Sequence, residues 1–317
     1  MKIVLAGASG FIGRPLITRF LCAGHALVIL SRQDARTERG GRILWVKWDA
    51  RSAGEWTRYL EDAEAVINLA GEPLTVWPWT LKQKQRLLES RVAATRALVN
   101  AMGSLPKRPR VFVNASAIGY YGSGGETVLD ENSLAGKPYL ATLCQAWEAS
   151  ASAARSLHIR VVCARLGLVL GGGGGVLQRL VPIFRYYLGG PLGSGKQWLS
   201  WIQLADAVAA LEWFLTQEQI DGPVNLTSPE PVRMQEFCRA LGNLLHRPSW
   251  LRVPGWLLRL VLGDMAQLFE GGQRVNPVVL HKHGFSFAFP TLSAALSVSI
   301  KNLEGNASQS SGMKRER

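Results

Sequence analysis

The residues best suited to chemistry stand early in the chain, where Gly7-Ala8-Ser9-Gly10-Phe11-Ile12-Gly13 follows an apolar run and precedes a helix-compatible one. Glycines at that spacing let a chain turn sharply, bring backbone N–H groups against a phosphate and press the next helix onto a sheet. A plain tight turn also accepts glycine, so it is the strand–turn–helix setting that assigns Gly7, Ser9, Gly10, Phe11, Ile12 and Gly13 to a nucleotide. The second apolar run ends in Leu30-Ser31-Arg32. An acid there would bond a free ribose 2′-hydroxyl, whereas Arg32 offers a guanidinium fork and Ser31 a hydroxyl to a 2′-phosphate. NADP is the cofactor this implies, with a solvated surface arginine as the alternative. Asp49, past the third run, suits the adenine amino group or a helix cap. Asn68-Leu69-Ala70-Gly71 ends the fourth run with small residues where the chain would pass beneath a ribose; a turn at a sheet edge has the same composition.

These residues need a scaffold that brings strand ends together. Short β-branched runs alternate with longer helical patterns through the first half, which is how βαβ units close a parallel sheet. Strands are expected near 2–6, 26–31, 43–47, 65–69, 111–115 and 160–165, with helices over 80–102 and 139–157, the latter opening just after Pro138. The fold class is therefore α/β: a Rossmann-type, doubly wound parallel sheet of six strands. After Leu170 the pattern changes to five glycines at 171–175, a helical run at 176–188, a glycine-rich turn at 189–195 and shorter elements rich in proline and tryptophan. The expected organisation is an NADP-binding domain over 1–170, a smaller substrate-side lobe over 171–300 that includes a C-terminal module at about 250–296, and a polar, disordered tail over 301–317.

Composition removes several other classes. The chain of 317 residues is 47% hydrophobic and 19% charged, enough to bury a sizeable core. Its longest apolar stretches, such as 256–263, are broken by charges like Arg259 and fall short of the roughly 20 residues of a membrane span, so no membrane is expected. Met1 to Ala6 reads as a first strand, since it lacks the long apolar region and cleavage site of a secretory signal. Cys22, Cys144, Cys163 and Cys238 lie far apart, which fits reduced thiols and a cytoplasmic setting. His281 and His283 would share one side of a strand, but no Cys, Asp or Glu nearby completes a metal site. The net charge of +13 is scattered along the chain, with no basic, aromatic-interleaved stretch, so no nucleic-acid partner is expected. The partner is a small-molecule substrate of unknown identity, and a homodimer remains open.

Together, the glycine turn, Ser31-Arg32, Asn68–Gly71 and the stretch Ala115-Ser116-Ala117-Ile118-Gly119-Tyr120-Tyr121-Gly122 resemble the extended short-chain dehydrogenase/reductases. More narrowly, the chain resembles the atypical epimerase-like group that carries an additional C-terminal domain of uncertain role. Ser90-Arg91, Trp147-Glu148, Gly190-Pro191-Leu192-Gly193-Ser194-Gly195, Ser200-Trp201-Ile202, Gly271-Gly272-Gln273-Arg274-Val275 and Gly284-Phe285 carry that likeness, which extends to about Leu296. The resemblance implies NADP(H), with cofactor contacts from the backbone of Leu69, Ala70 and Gly71, from Val169 beside the nicotinamide carboxamide, and from Arg91. Ordinary members have Asn at the position of Arg91. Its guanidinium would meet a cofactor phosphate or a substrate anion, unless it only forms a salt bridge on the helix surface.

Ordinary members reduce or oxidise a carbonyl with Ser and Tyr beside the reacting oxygen and a Lys that lowers the Tyr pKa. Ser116 matches the serine. Counting back eight and four residues from Glu148, the Tyr and Lys positions hold Leu140 and Cys144, and neither can move a proton as that pair does. Tyr139 is adjacent, but one residue along a helix turns a side chain by about 100°. Tyr121 is the substitute donor the sequence offers, with a packed loop tyrosine as its structural alternative. Members of the group commonly have His where this chain has Gln203, and Asp206 beyond it suits the start of a helix. The resemblance implies an NADP(H)-dependent oxidoreductase or epimerase-like enzyme acting on a small polar carbonyl or sugar-like compound. An NADPH-binding regulatory protein with little or no turnover explains the missing pair equally well.

Overall fold

The computed structural model describes residues 1–266 and 271–312. Its centre is a sheet of strands β1 (Lys2–Ala6), β2 (Ala26–Ser31), β3 (Arg36–Glu38), β4 (Ile43–Lys47), β5 (Ala65–Asn68), β6 (Val111–Ala117), β8 (Arg160–Leu166) and β12 (Gly222–Leu226), ordered β12-β8-β6-β5-β1-β2-β4-β3. All neighbours are parallel except the edge pair β3–β4. The inner strands are covered on both faces, which is why they read as continuous apolar runs; Ile3, Val4, Leu5 and Ala6 are all fully buried. On one face Leu16 and Phe20 of α1 (Gly13–Cys22) pack with Val208 and Leu211 of α5 (Leu204–Trp213). On the other, Ala97 and Leu98 of α2 (Leu81–Gly103) meet Ala151 of α3 (Tyr139–Ser152). The two sets of helices lie on opposite faces, and the strand order reverses between β1 and β5.

Six strands fall where the alternation puts them, each within about two residues. Two others escape it. β3 is a polar, exposed Arg-Thr-Glu, and β12 opens with Gly222-Pro223, a turn-like pair that is tolerated because the strand sits on the sheet edge. The sheet thus draws β12 and α5 from chain beyond residue 170.

The remaining lobe has its own core: Leu177, Val181 and Phe184 of α4 (Gly175–Arg185), Phe237, Cys238 and Leu241 of α6 (Met234–Leu245), and Ala295, Leu296 and Ile300 of the last helix. Three small ladders tie it to the sheet's carboxyl edge: β9 (Leu168–Leu170) with β11 (Trp201–Gln203), β10 (Trp198–Leu199) with β13 (Val232–Arg233), and β7 (Val128–Leu129) with β14 (Arg274–Val275). Helices α7 (Gly255–Leu262), α8 (Val278–Lys282) and α9 (Leu292–Gly312) complete the chain. Two expectations need correcting. His281 and His283 sit in and just after α8, not on a strand, and His281 packs against Phe287. The segment read as a tail from 301 continues α9 as far as Gly312, and 313–317 lie outside the described residues. Among the described residues no helix is long and apolar enough to cross a membrane, and no His/Cys/Asp/Glu group could hold a metal.

Candidate active site

The glycine turn lies where β1 and β5 part, and its geometry explains two of its glycines. Gly7 has φ +77°, and a Cβ there would lie 2.5 Å from both the carbonyl carbon and oxygen of Leu69. A Cβ on Gly13 would lie 2.6 Å from the Ala8 Cα, so the first residue of α1 is pressed against the turn. Ile12, at the N-cap, makes no side-chain cap and the first turn of α1 carries no acid, and Gly10, Phe11, Ile12 and Gly13 at this helix end line the cavity described below. Ser9 contributes its carbonyl, which accepts from the Arg14 Nε at 3.0 Å.

Ser31 and Arg32 follow β2 at the same sheet edge. Arg32 is exposed, and among the described residues its side chain has no partner; the Ser31 hydroxyl accepts from the Gln33 N–H at 3.1 Å. Asp49 closes a turn of its own chain instead of capping a helix. Its carboxylate accepts from the N–H groups of Arg51 and Ser52 and from the Ser52 hydroxyl, which hold its pKa down at about 2. Beyond β5, the fully buried Asn68 donates to Thr95 and Asn114 and accepts from the Ala70 N–H, so Leu69, Ala70 and Gly71 are fixed from below. Arg91 is no surface salt bridge. It is 7% exposed, its guanidinium packs beneath Gly71, and it donates to the carbonyls of Leu87 and Glu72 at 3.0 Å each.

A cavity of about 490 Å³ runs from Gly7, Gly10, Phe11, Ile12 and Gly13 past Leu69 and Arg91 to Ser116, and on to Gln197–Ser200 and Met234 of the second lobe. Val169 lines it, held by the pairing of β9 with β11. Leu140 and Cys144 both line its wall, so the Tyr and Lys positions counted from Glu148 do face the cavity. Burial pushes the Cys144 thiol up to about 11, which leaves it protonated near neutral pH. Tyr139 points away from the cavity, donating to the Lys84 carbonyl at 2.5 Å and packing edge-on against Trp79.

Tyr121 is not a wall of that cavity, and the reading of it as proton donor gives way. It is 4% exposed, donates to the Asn225 side chain at 2.7 Å and accepts from the Arg165 Nη1 at 2.9 Å; burial raises its pKa to about 12. Ser116 does reach the cavity, but its hydroxyl donates to Glu148 at 2.6 Å. Glu148 is in turn gripped by Arg165 through two bonds of 2.8 Å, and the Arg165 guanidinium lies 3.5 Å from the Tyr120 ring centroid. The serine proton therefore points into a buried ionic network, and the Cys144 thiol stands within hydrogen-bond reach of the same hydroxyl. The Arg165 half of this network was visible as a charge inside the apolar run 160–166, because a buried charge requires a partner. Nothing in the spacing identified the partner.

The second lobe supplies the roof. Gln203 replaces the histidine common in the group and caps α5, accepting from the Ala205 N–H, and it does not line the cavity. Asp206 is buried and accepts from the N–H groups of Ala288 and Phe289 at 2.8 and 3.0 Å, fastening the C-terminal segment to α5. Gln273 lines the cavity and donates to the Gly122 carbonyl at 2.7 Å, while its own carbonyl accepts from Ser200. The glycines at 171–175 form a collar around Phe11: a Cβ on Gly174 would lie 2.5 Å from that ring, and one on Gly172 would lie 2.6 Å from the Asn302 Cβ.

A glycine turn at the reversal point of a parallel sheet, continuous with a cavity that Ser116 lines, defines an extended short-chain dehydrogenase/reductase. The chain belongs to the NAD dependent epimerase/dehydratase family, whose model matches residues 3–226, and residues 253–298 match a domain of unknown function, DUF1731. It is 39% identical over 305 residues to the epimerase family protein SDR39U1 homolog, chloroplastic, of Arabidopsis thaliana, covering 93% of this chain and 86% of that one. An epimerase family protein of Mycobacterium leprae is 38% identical over 299 residues, with 93% and 94% covered. The crystal structure of human epimerase family protein SDR39U1 (isoform2) with NADPH superposes with a TM-score of 0.85 at 29% identity, covering 96% of this chain and all of the human one.

Proposed function

We propose that this protein binds NADP(H) along the carboxyl edge of its sheet and acts as an oxidoreductase or epimerase-like enzyme on a small carbonyl or alcohol compound. The observation that carries the reading is Arg32, exposed and without a side-chain partner at the end of β2, where an NAD-specific site would present an acid. The cradle fits the group. The backbone of Gly10 to Gly13 at the uncapped α1 terminus would hold the pyrophosphate, with Gly7 and Gly13 free of side chains that would close the turn. Ser31 and Arg32 would take the 2′-phosphate, Asp49 the adenine, Leu69–Gly71 the ribose and Val169 the carboxamide.

When bound, the nicotinamide exchanges a hydride with a substrate carbon. Ser116 would meet the substrate oxygen as a hydrogen-bond acceptor, since its own proton is committed to Glu148. That suits a hydroxyl, the alcohol form of the substrate. The apolar walls at Leu140, Leu143, Trp147 and Met234 favour a compound with an apolar body over a bare sugar. The second reading, an NADPH-binding regulatory protein, draws its support from Leu140 and Cys144 in that wall and from the withdrawal of Tyr121 into the core. Three of the four free cysteines are buried, which accords with work in a reducing compartment such as cytoplasm.

Calorimetric titration with NADPH and NADH, repeated on Arg32→Ala, tests the cofactor. NADPH is expected to lose at least about tenfold in affinity while NADH changes by less than about threefold. Absence of binding by either nucleotide to the unmutated protein would falsify the proposal. Turnover across a panel of carbonyl compounds and alcohols then separates enzyme from regulator.

A further inference from the structure

More than half of the large apolar side chains left bare on this protein lie between Ile183 and Val261, in the second lobe. Tyr186, Trp250, Trp256 and Leu260 are each between 68% and 77% exposed. The turn that carries Tyr186, Tyr187 and Leu188 runs beside the stretch after Trp250: the Leu251 N–H donates to the Gly189 carbonyl at 3.2 Å and the Val253 N–H to that of Pro191 at 3.1 Å. Tyr187 is held at φ +65°, a costly conformation for an aromatic residue, with the Arg247 guanidinium 4.7 Å from its ring centroid. Then α7 begins at Gly255 and presents Trp256 and Leu260, one turn apart, to solvent, while Leu258 is buried.

Charge on the same segments has one sign. Phe237 to Gly263 holds Arg239, Arg247, Arg252 and Arg259 and no Asp or Glu, and Val176 to Lys196 holds Arg179, Arg185 and Lys196 and no Asp or Glu. Glu304 and Asp264 border these segments, and each is paired, with Arg185 and with Lys84. Bare Trp, Tyr and Leu among uncompensated arginines suit the headgroup layer of a membrane, where amphipathic rings and aliphatic chains enter the acyl boundary and cations meet phosphate. We propose that this flank, residues 186–188 together with 250–261, docks on the surface of an anionic lipid bilayer, with Trp256 and Leu260 inserted and the exposed Arg252 on the lipid phosphates. The contact needs no crossing segment, because an interfacial helix lies in the plane of the headgroups. Leu188, Leu260 and Val261 would have no use against a nucleic acid, which is bound by stacking and charge. A second copy of this chain would set the same arginines face to face across a two-fold axis.

The test is co-sedimentation of the full-length protein with vesicles of phosphatidylcholine alone or with about 30% phosphatidylglycerol, at about 0.1 M salt. Partition onto the anionic vesicles is expected to be at least about tenfold stronger than onto the neutral ones and to fall by most of that factor at about 0.5 M salt. The double substitution Trp256→Ser with Leu260→Ser is expected to weaken it at least about tenfold, and Arg252→Gln about threefold. Leu134→Ser, at an equally bare leucine outside these segments, should change it less than about twofold. No binding of the unmutated protein to anionic vesicles, or equal binding to both kinds, overturns the proposal without any variant. So does a loss that Leu134→Ser shares with the double substitution, or binding that the double substitution leaves unchanged. Self-association in solution that the double substitution abolishes would give the flank to a second copy, and retention on single-stranded DNA without vesicle binding would give it to nucleic acid; either overturns the assignment to lipid.

Discussion

Replacing Gly7 and Gly24 by alanine would separate two roles of glycine, because both have positive φ but only Gly7 is crowded. Gly24 has φ +83° and nothing within 4 Å of a built Cβ, whereas Gly7 meets the Leu69 backbone. Gly24→Ala is expected to cost about 1 kcal/mol, from backbone conformation alone. Gly7→Ala should cost roughly 2–4 kcal/mol and abolish NADPH binding, because the β1 and β5 ends must move apart. Denaturant midpoints and a nucleotide titration of each variant check this, and equal costs would contradict it. The places of Gly7 and Arg32 at the ends of β1 and β2 were legible because they follow from type and position along one strand–turn unit. The fate of Tyr121 was not, since its burial depends on Arg165 and Asn225, which are 44 and 104 residues away. Leu140 and Cys144 could be located by counting along a helix, where spacing fixes the face.

Among the elements, α7 and the turn after it have the least apparent purpose in the sequence and a definite one in the structure. Leu262 and Met265 join the packed cluster that contains Trp79, Leu143, Cys144 and Trp147, and Lys84 of α2 pairs with Asp264. The domain of unknown function thus backs the cavity wall formed by Leu143, Cys144 and Trp147. Alanine at Leu262 or Met265 is expected to raise the rate of Cys144 modification by N-ethylmaleimide by about tenfold, as the wall loosens. Cys163 and Cys238, buried in other cores, serve as internal controls and should stay unmodified. An unchanged Cys144 rate, or a rise shared by all three, would remove this role from the segment. Sequence periodicity found the six inner strands because burial on both faces writes itself into composition. It missed β3 and β12, whose pairing is set by neighbours, and it ended the last helix early because polar residues do not stop a helix that is anchored on Gly172 and α6.

For the molecule as a whole, several acids are buried in their neutral forms. Burial holds Cys144 at about 11 and Cys163 and Cys238 at about 12, above the ordinary thiol value of 9.0, and Tyr139 at about 12 against 10.0. The unfolded chain releases these protons first as pH rises, so it binds fewer protons than the folded one and stability falls with a slope of up to about 1.4 kcal/mol per pH unit for each group. The loss begins near the ordinary thiol value and continues to about pH 11–12. Thermal midpoints should therefore decline steeply above about pH 9 and stay nearly level below it, and replacing Cys163 and Cys238 by alanine should flatten the decline. A level profile through about pH 10.5 would show that the thiols do not control alkaline stability. The collar around Phe11 has a consequence for biosynthesis. Its glycines are made about 160 residues after the turn they enclose, and Asn302, which backs Gly172, comes later still. At about 5–20 residues per second a ribosome takes roughly a quarter of a minute to a minute to go from Phe11 to Asn302, so the first turn translated is among the last parts of the site to be completed. Through that interval the Phe11 ring has no native cover, and a nascent chain must keep it from other partners until the final helix emerges.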